Sequence, residues 1–499
     1  MEGRPGAPVG TVGGSPTTSV TLVPDARSDM SSTTQTATES PGPAPTAEGK
    51  LVRLPLALAW VGMATVGLST IEIGLFSLSD GAFIAAAMVV VTQLLMGDRR
   101  GLSPARSRRT PQLVLAGSVI LLTAGAVSSL RSWDPAGSLL IVVRVGYLVL
   151  VWTWLLRAVT PTRAAVDVLL SGWRAGVVFV STAAVLDQFG LIGISAENTE
   201  NRQAAFSGHP NDLAGYLVVA LPLAMLGLPR RRERSQRKDT TWRIVMSGLV
   251  IYAITTTGSI TGLASAAVTA VVTFGVMLLV PSAKRRTKRR DPLVAVAFMV
   301  AAVVGLGLLA TSDLPVFERI DRYETGDSYV TGSADQRANL NARVVGRFDE
   351  WLVTGVGLDR QSVNATDVVT ERIGGGVHNM YLKILLEAGL PGLIGLTLIL
   401  VATLRAALLL MTNTRRTALY PVIVLVTSST LAACVFANFG PILYHRYFWV
   451  PIGLVWCVWS LRREELRRDG EVSVGPGDRA ERGRFRPTVG PAGQPELGT

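Results

Sequence analysis

The sequence predicts an all-α polytopic membrane protein with about twelve transmembrane helices and one large, partly helical external loop. Three observations carry that prediction. Apolar runs recur along the chain, many of them reaching the ~18 residues a helix needs to cross a bilayer. Basic residues gather in the short stretches that follow every second run, where positive charge sets topology. One polar segment, residues 312–380, stands between two apolar runs and carries more acidic than basic side chains.

Residues 1–50 are rich in Pro, Ser, Thr, Gly and Ala. They cannot bury enough surface to offset their ordering entropy, and are expected to form a disordered cytoplasmic tail. No short apolar region with a cleavage site begins near Met1, so this stretch does not read as a signal peptide. Nine apolar spans follow within residues 51–311, at about 54–78, 82–96, 111–130, 137–158, 164–188, 211–228, 243–257, 261–280 and 292–311. The external loop occupies 312–380, and three more spans lie within 381–461, at about 381–410, 418–437 and 445–461. Residues 462–499 are expected to be a second disordered cytoplasmic tail.

The basic exits are consistent throughout. Arg99, Arg100, Arg106, Arg108 and Arg109 follow span two, and Arg157 and Arg163 flank the loop after span four. The run RRRERSQRK (Arg230 to Lys238) follows span six, and KRRTKRR (Lys284 to Arg290) follows span eight. Arg415 and Arg416 follow span ten, while Arg462, Arg463, Arg467 and Arg468 follow span twelve. Both termini are therefore expected in the cytoplasm, with residues 189–210 and 312–380 outside. A net charge of +12 would suggest nucleic acid in a soluble protein, but here it sits in topology-setting loops, so no nucleic-acid partner is expected. Cys434 and Cys457 lie inside apolar runs and read as small core residues. The absence of a visible internal repeat disfavours an inverted-repeat transporter.

The large loop contains a helix that can be drawn from its residues. Ser333 and Gln336 form a capping-box pattern, and helical periodicity follows. With Arg337 at zero and 100° per residue, Leu340, Val344, Val345, Phe348, Trp351 and Leu352 fall within about 80° of it. Arg337 thus sits in the middle of the apolar stripe, where a guanidinium needs an anion. A buried Asp or Glu would satisfy it, and so would a phosphate, which suits arginine's forked donors. His378 follows three glycines and precedes span ten, with Asn379 as the natural N-cap. A neutral imidazole at that outward-facing helix start could accept a hydroxyl proton, or serve only as a polar interfacial residue.

The smaller external loop repeats the pattern. Arg202 precedes the helix start at Pro210 and Asn211, with His209 read as an interfacial cap. His445 and Arg446 stand at the outer start of span twelve. Charges inside spans are expensive and are expected to face a bundle interior or a wet cavity, among them Glu72 in span one, Arg144 in span four and Glu387 in span ten. Glu387 either supports His378 or makes a structural hydrogen bond. No Asp, Glu or His cluster has metal-ligand spacing, so neither metal nor cofactor is expected.

At these residues the chain resembles the O-antigen ligase and O-antigen polymerase family of bacterial membrane glycosyltransferases. Three stretches carry the resemblance: NRQAAFSGHPNDLAGYL, SADQR through GVGLD, and HNMYLKILLEAGLPGL. It carries over to Arg202, to Arg337 with Gly355 and Gly357, and to His378 with Asn379, Tyr381, Leu382, Glu387 and Gly389. The chain departs from the family at TTTGSITGLAS, where Ile260 stands in place of an arginine, and at Asn341, where an aromatic residue is common. The resemblance covers roughly residues 54 to 461 and implies a GT-C-like fold.

It also implies a reaction at the outer face of the cytoplasmic membrane. A saccharide is carried on polyprenyl (undecaprenyl) pyrophosphate, which Arg202 and Arg337 hold as it leaves. His378 orients or deprotonates an acceptor hydroxyl on a glycan or lipid. The expected chemistry is metal-independent and inverting, in surface polysaccharide synthesis, with a flippase or chain-length regulator as possible partners. Two readings from other classes stand beside it. One is a transporter or flippase for glycolipids or small anions, which would place its functional charges at span centres. The other is a morphogenesis-type peptidoglycan glycosyltransferase, which would rely on an acidic loop residue in place of His378.

Overall fold

In hydrocarbon a backbone must satisfy its own N–H and C=O groups, so long apolar runs close as helices. A computed structural model describes residues 47–69, 72–73, 76–105, 110–194, 202–227, 236–279, 314–326, 335, 338–339, 341–342, 344–346, 348–359, 377–414, 417 and 419–473. The helices among them are α1 Ala47–Ala64, α2 Leu78–Leu95, α3 Gln112–Leu130, α4 Pro135–Val159 and α5 Arg163–Gln188. They continue with α6 Pro210–Leu226, α7 Gln236–Thr256, α8 Ile260–Leu279, α9 Pro315–Glu324 and α10 Phe348–Trp351. The last three are α11 Met380–Asn413, α12 Tyr420–Phe436 and α13 Arg446–Ser473.

Among the described residues five helices are long and apolar enough to cross a membrane: α2, α3, α4, α5 and α11. Shorter apolar helices lie at Arg53–Ala64, Pro210–Leu226, Ile260–Val276 and Tyr420–Phe436. Expected span nine, residues 292–311, lies outside the described residues, as do the tail through residue 46 and the chain beyond Ser473.

The structure corrects three boundaries. Span one was expected to run to about residue 78, but α1 ends at Ala64. Two short antiparallel strands follow, β1 Glu72–Ile73 and β2 Phe76–Ser77, with Glu72 opposite Ser77. Glu72 is therefore on a strand and not inside a spanning helix. The cause is the start signal of α2, where Ser77 and Asp80 form a reciprocal capping box. Span ten was drawn unbroken, yet α11 breaks at Gly389, which takes φ 67 and ψ −174. At the far end, α13 continues to Ser473, into the stretch expected to be a disordered tail. Charged pairs one turn apart, such as Arg462 with Glu465 at 3.2 Å, suit a helix that has left the apolar layer.

The core is built from small residues and buried tryptophans. Trp152, Trp173 and Trp449 are fully buried. α3 and α11 pack closely because Gly117 and Gly395 meet at their crossing, where a Cβ on Gly117 would lie 2.6 Å from the Gly395 carbonyl oxygen. α12 packs against α6, α8 and α13, and α5 against α1 and α7. Cys457 is buried and Cys434 half-buried, neither in a disulfide, as core residues should be.

Helix direction alternates in a way the contacts make explicit. The starts of α2, α6, α11 and α13 meet through side chains at one end of the bundle, joined by the start of α4. At the other end the start of α3 and the ends of α4, α11 and α13 line one cavity. This agrees with the alternation drawn from the basic exits, and it does not depend on span nine.

Candidate functional site

The first wall of the site is the entry to α6. His209 is its N-cap, with Nδ1 accepting from the Asn211 backbone N–H at 3.1 Å, and Pro210 opens the helix. Arg202 reaches back over this start. Its Nε donates to the Thr257 carbonyl at 2.9 Å, and its Nη2 donates to Asn211 Oδ1 at 3.1 Å. The adjacent Gln203 N–H donates to the Thr256 carbonyl at 3.0 Å. Arg202 therefore ties the small loop to the turn between α7 and α8, just ahead of Ile260. A Cβ on Gly258 would lie 3.0 Å from its side chain, so that turn is shaped around Arg202.

The second wall is the entry to α11. Asn379 is the N-cap, as its position predicts, and its Oδ1 accepts from the Tyr381 and Leu382 N–H groups, both at 3.0 Å. His378 stands half-buried just before it. The break at Gly389 releases backbone groups that a straight helix would pair, and the GVGLD stretch takes them up. The Val356 N–H donates to the Leu386 carbonyl and the Gly357 N–H to the Glu387 carbonyl, both at 3.0 Å. The Leu390 N–H donates to the Leu352 carbonyl at 2.6 Å. Gly355 has φ 68, and a Cβ there would lie 2.3 Å from the Glu387 carbonyl oxygen. The G-x-G and E-x-G motifs are thus two halves of one backbone joint.

Around that joint lies an ionic cluster in which Lys383 and Glu387 are buried and Asp359 is exposed. The Lys383 ammonium is 3.2 Å from Asp359 Oδ1 and 3.5 Å from Glu387 Oε1, and lies 5.0 Å from the centre of the Tyr444 ring. The Tyr444 hydroxyl donates to Glu387 Oε2. Burial, with the Glu387 carboxylate beside it, pushes the Tyr444 phenol well above its ordinary range, so it remains a donor. Ser138 at the start of α4 donates to the Leu358 carbonyl at 3.0 Å, anchoring the same loop.

Tyr444, His445 and Arg446 join the two walls. His445 Nε2 lies 3.5 Å from Asp212 Oδ1, one residue beyond Asn211 and its bond to Arg202. Its ring stacks on Tyr447 with centroids 5.3 Å apart. Arg446 holds Asp80 with both arms of its fork, Nε to Oδ1 at 2.7 Å and Nη2 to Oδ2, and both side chains are buried. Arg144, on α4, is close enough to His445 to act on its charge.

The structure thus brings the Arg202 loop and the His378 helix start to the same end of the bundle, through a segment the sequence left without support. Arg337 lies outside the described residues. Helical residues recur between Asp335 and Trp351, and Val344 packs with Val377 and Leu386, beside Trp351, Val356 and Leu382. Val344 is buried as the projected stripe requires, whereas Val345, at the stripe's edge, is 58% exposed, and Phe348, near its centre, is 36% exposed. Lys383, Asp359, Tyr444, Asp212 and Asp80 are polar members that the sequence reading missed. A lysine four residues before a glutamate in an apolar helix was a readable signal for Lys383. Tyr444 had no local signal at all.

Residues 245–397 match the family described as O-antigen ligase. No curated protein matches the chain. The matched stretch begins within α7 and ends within α11, so it contains Thr257, Asp359, His378, Lys383 and Glu387. Arg202 lies before it and bonds into it. With the apolar helices, the match describes a multi-pass membrane protein and supports a glycosyltransferase-like role in surface polysaccharide synthesis. Residues 245–397 are therefore a domain of the O-antigen ligase family.

Proposed function

We propose that the chain is a membrane glycosyltransferase that transfers or polymerises a saccharide from a polyprenyl (undecaprenyl) pyrophosphate donor onto an acceptor hydroxyl. The observation that carries this is the gathering of two helix starts, α6 with Arg202 and α11 with His378, at one end of the bundle within or against the matched domain. Each start offers the positive end of a helix dipole, and Arg202 adds a guanidinium held in orientation by Asn211 and Thr257. In this reading Arg202 and Arg337 bind the pyrophosphate and stabilise the charge that grows on it as the glycosidic bond breaks. His378 orients the acceptor hydroxyl and takes its proton, and the acceptor oxygen attacks the anomeric carbon from the face opposite the leaving group. Inversion follows, and the reading needs no metal.

The same reading keeps the GT-C-like fold, the twelve spans with span nine at residues 292–311, and the loop of 312–380 as the catalytic element. It puts the α6, α11 and α13 starts outside a bacterial cytoplasmic membrane and both termini in the cytoplasm, since Arg157, Arg405, Arg463 and Arg467 lie at the other end. The test is exchange of Arg202, Arg337 and His378 for alanine, followed by mass analysis of polyprenyl-linked saccharides in membranes. Loss of product with normal membrane insertion is expected. Normal product from both Arg337→Ala and His378→Ala overturns the assignment. Deleting the protein distinguishes the two acceptor types: accumulated single repeat units mean a polymerase, and accumulated long chains mean a ligase.

A further inference from the structure

At the end of the bundle opposite His378 there is a cavity of about 1050 Å³ between the start of α3 and the ends of α4, α11 and α13. It lies at the upper end of the roughly 300–1,000 Å³ typical of ligand sites. Four arginines line it, Arg157, Arg405, Arg463 and Arg467, against a single carboxylate, Glu464. Arg405 and Arg463 make no hydrogen bond or ion pair among the described residues. Arg157 is only 2% exposed and is fixed in place, with Nη2 donating to Thr110 Oγ1 at 3.2 Å.

The rest of the wall is mostly apolar, with Thr110, Gln112 and Ser460 as its other polar members. Leu113 and Leu409, at 45% and 38% exposure, face outward from α3 and α11 beside the cavity, on helices of membrane-spanning length. Trp456 forms part of its floor, its indole N–H already committed to Thr403 Oγ1 at 3.1 Å. A soluble anion would use the arginines and leave this surface uncovered. A phospholipid with an anionic headgroup uses both, with its phosphate among the guanidiniums and its chains along Leu113 and Leu409.

We propose that this cavity binds an anionic phospholipid of the leaflet that meets the basic ends of α4, α11 and α13. The site is separate from the glycosyl-transfer site and does not rest on that reading.

The test uses the full chain, purified in neutral detergent and stripped of lipid, with phosphatidylglycerol, phosphatidylcholine and inorganic phosphate added separately. Binding is read by native mass spectrometry and by melting temperature. Phosphatidylglycerol is expected to bind and raise the melting temperature, with phosphatidylcholine and phosphate giving little. The double variant Arg405→Gln/Arg463→Gln should weaken phosphatidylglycerol binding roughly thirtyfold, the effect expected for removing two interfacial guanidiniums. Arg405→Lys/Arg463→Lys should retain most of it. Equal binding of the two lipids, an equal response to phosphate, or undiminished binding by the glutamine variant overturns the proposal. If the glutamine variant does not fold, added salt decides on the native chain: phosphatidylglycerol binding must weaken as ionic strength rises, and salt-independent binding overturns it.

Discussion

At the scale of single residues, the proposed chemistry rests on groups whose orientation the fold enforces. His378 precedes a capped helix start, and its exchange for alanine is expected to lower saccharide transfer by about 10²–10⁴-fold, the range for a lost general base. The readout is product formed per inserted protein. Arg202 makes a two-point grip on Asn211 and Thr257 that lysine cannot reproduce. Arg202→Lys should therefore reduce transfer about tenfold, comparable to losing one charge-assisted hydrogen bond, despite its retained charge. Tyr444→Phe removes the donor to Glu387 Oε2 while the carboxylate remains buried. A loss of about 1–3 kcal/mol is expected, seen as a lower melting temperature in detergent. An unchanged melting temperature would show that Glu387 has another donor.

At the scale of elements, the break in α11 is the feature on which the site depends. A continuous helix through Gly389 would return the Leu386 carbonyl to the Leu390 N–H, leaving the Val356 N–H and the Leu352 carbonyl of the GVGLD stretch and its approach without their partners. Lys383 would then lose Asp359 from its cluster. Gly355 tests the joint directly, because it combines a left-handed backbone with a carbonyl where its Cβ would stand. Gly355→Ala is expected to destabilise the chain by about 1–3 kcal/mol or more and to lower transfer with it. Gly97 shares a positive φ of 75 but has open space around its Cβ position, so Gly97→Ala should have only the backbone effect. Thermal unfolding of the two variants in the same detergent checks the contrast, and equal losses would remove the joint as the explanation.

At the scale of the whole molecule, buried ion pairs hold distant helices in register. Asp80 and Arg446 stand at the starts of α2 and α13, far apart in sequence, and both are buried. Breaking such a pair leaves one charge without compensation, which costs about 3–5 kcal/mol, more than removing both. Arg446→Gln should therefore yield little folded protein, and Asp80→Asn/Arg446→Gln should recover part of it. Monodisperse yield from gel filtration is the measurement, and a double variant no better than the single ones would refute the coupling. The bundle thus has two polar ends of different character. One is a mixed network of paired charges around His445, and the other an arginine-rich cavity.

Much of this was legible along the chain. The apolar runs located eleven helices among the described residues, because a bilayer forces any long apolar segment to satisfy its own backbone. Asn379, His209 and Pro210 announced their helix starts, because capping is a contact between neighbours in sequence. The break at Gly389 had a readable signal in Pro391, which cannot donate to the Glu387 carbonyl, whereas the boundary at Ala64 had none that a hydropathy window detects. Hydropathy sums over a window and cannot see a turn or kink that stays apolar. The clusters at Lys383 and Arg446 were invisible because each joins residues from separate helices, and no one-dimensional pattern records which helix ends meet. Sequence by itself determined the helical membrane class, the approximate places of the helices among the described residues, and the choice of His378 and Arg202 as candidates. The basic exits already put their loops on one side, because positive charge sets topology; only tertiary packing decided that Tyr444, His445 and Arg446 are what joins them, because that contact is between residues far apart in sequence.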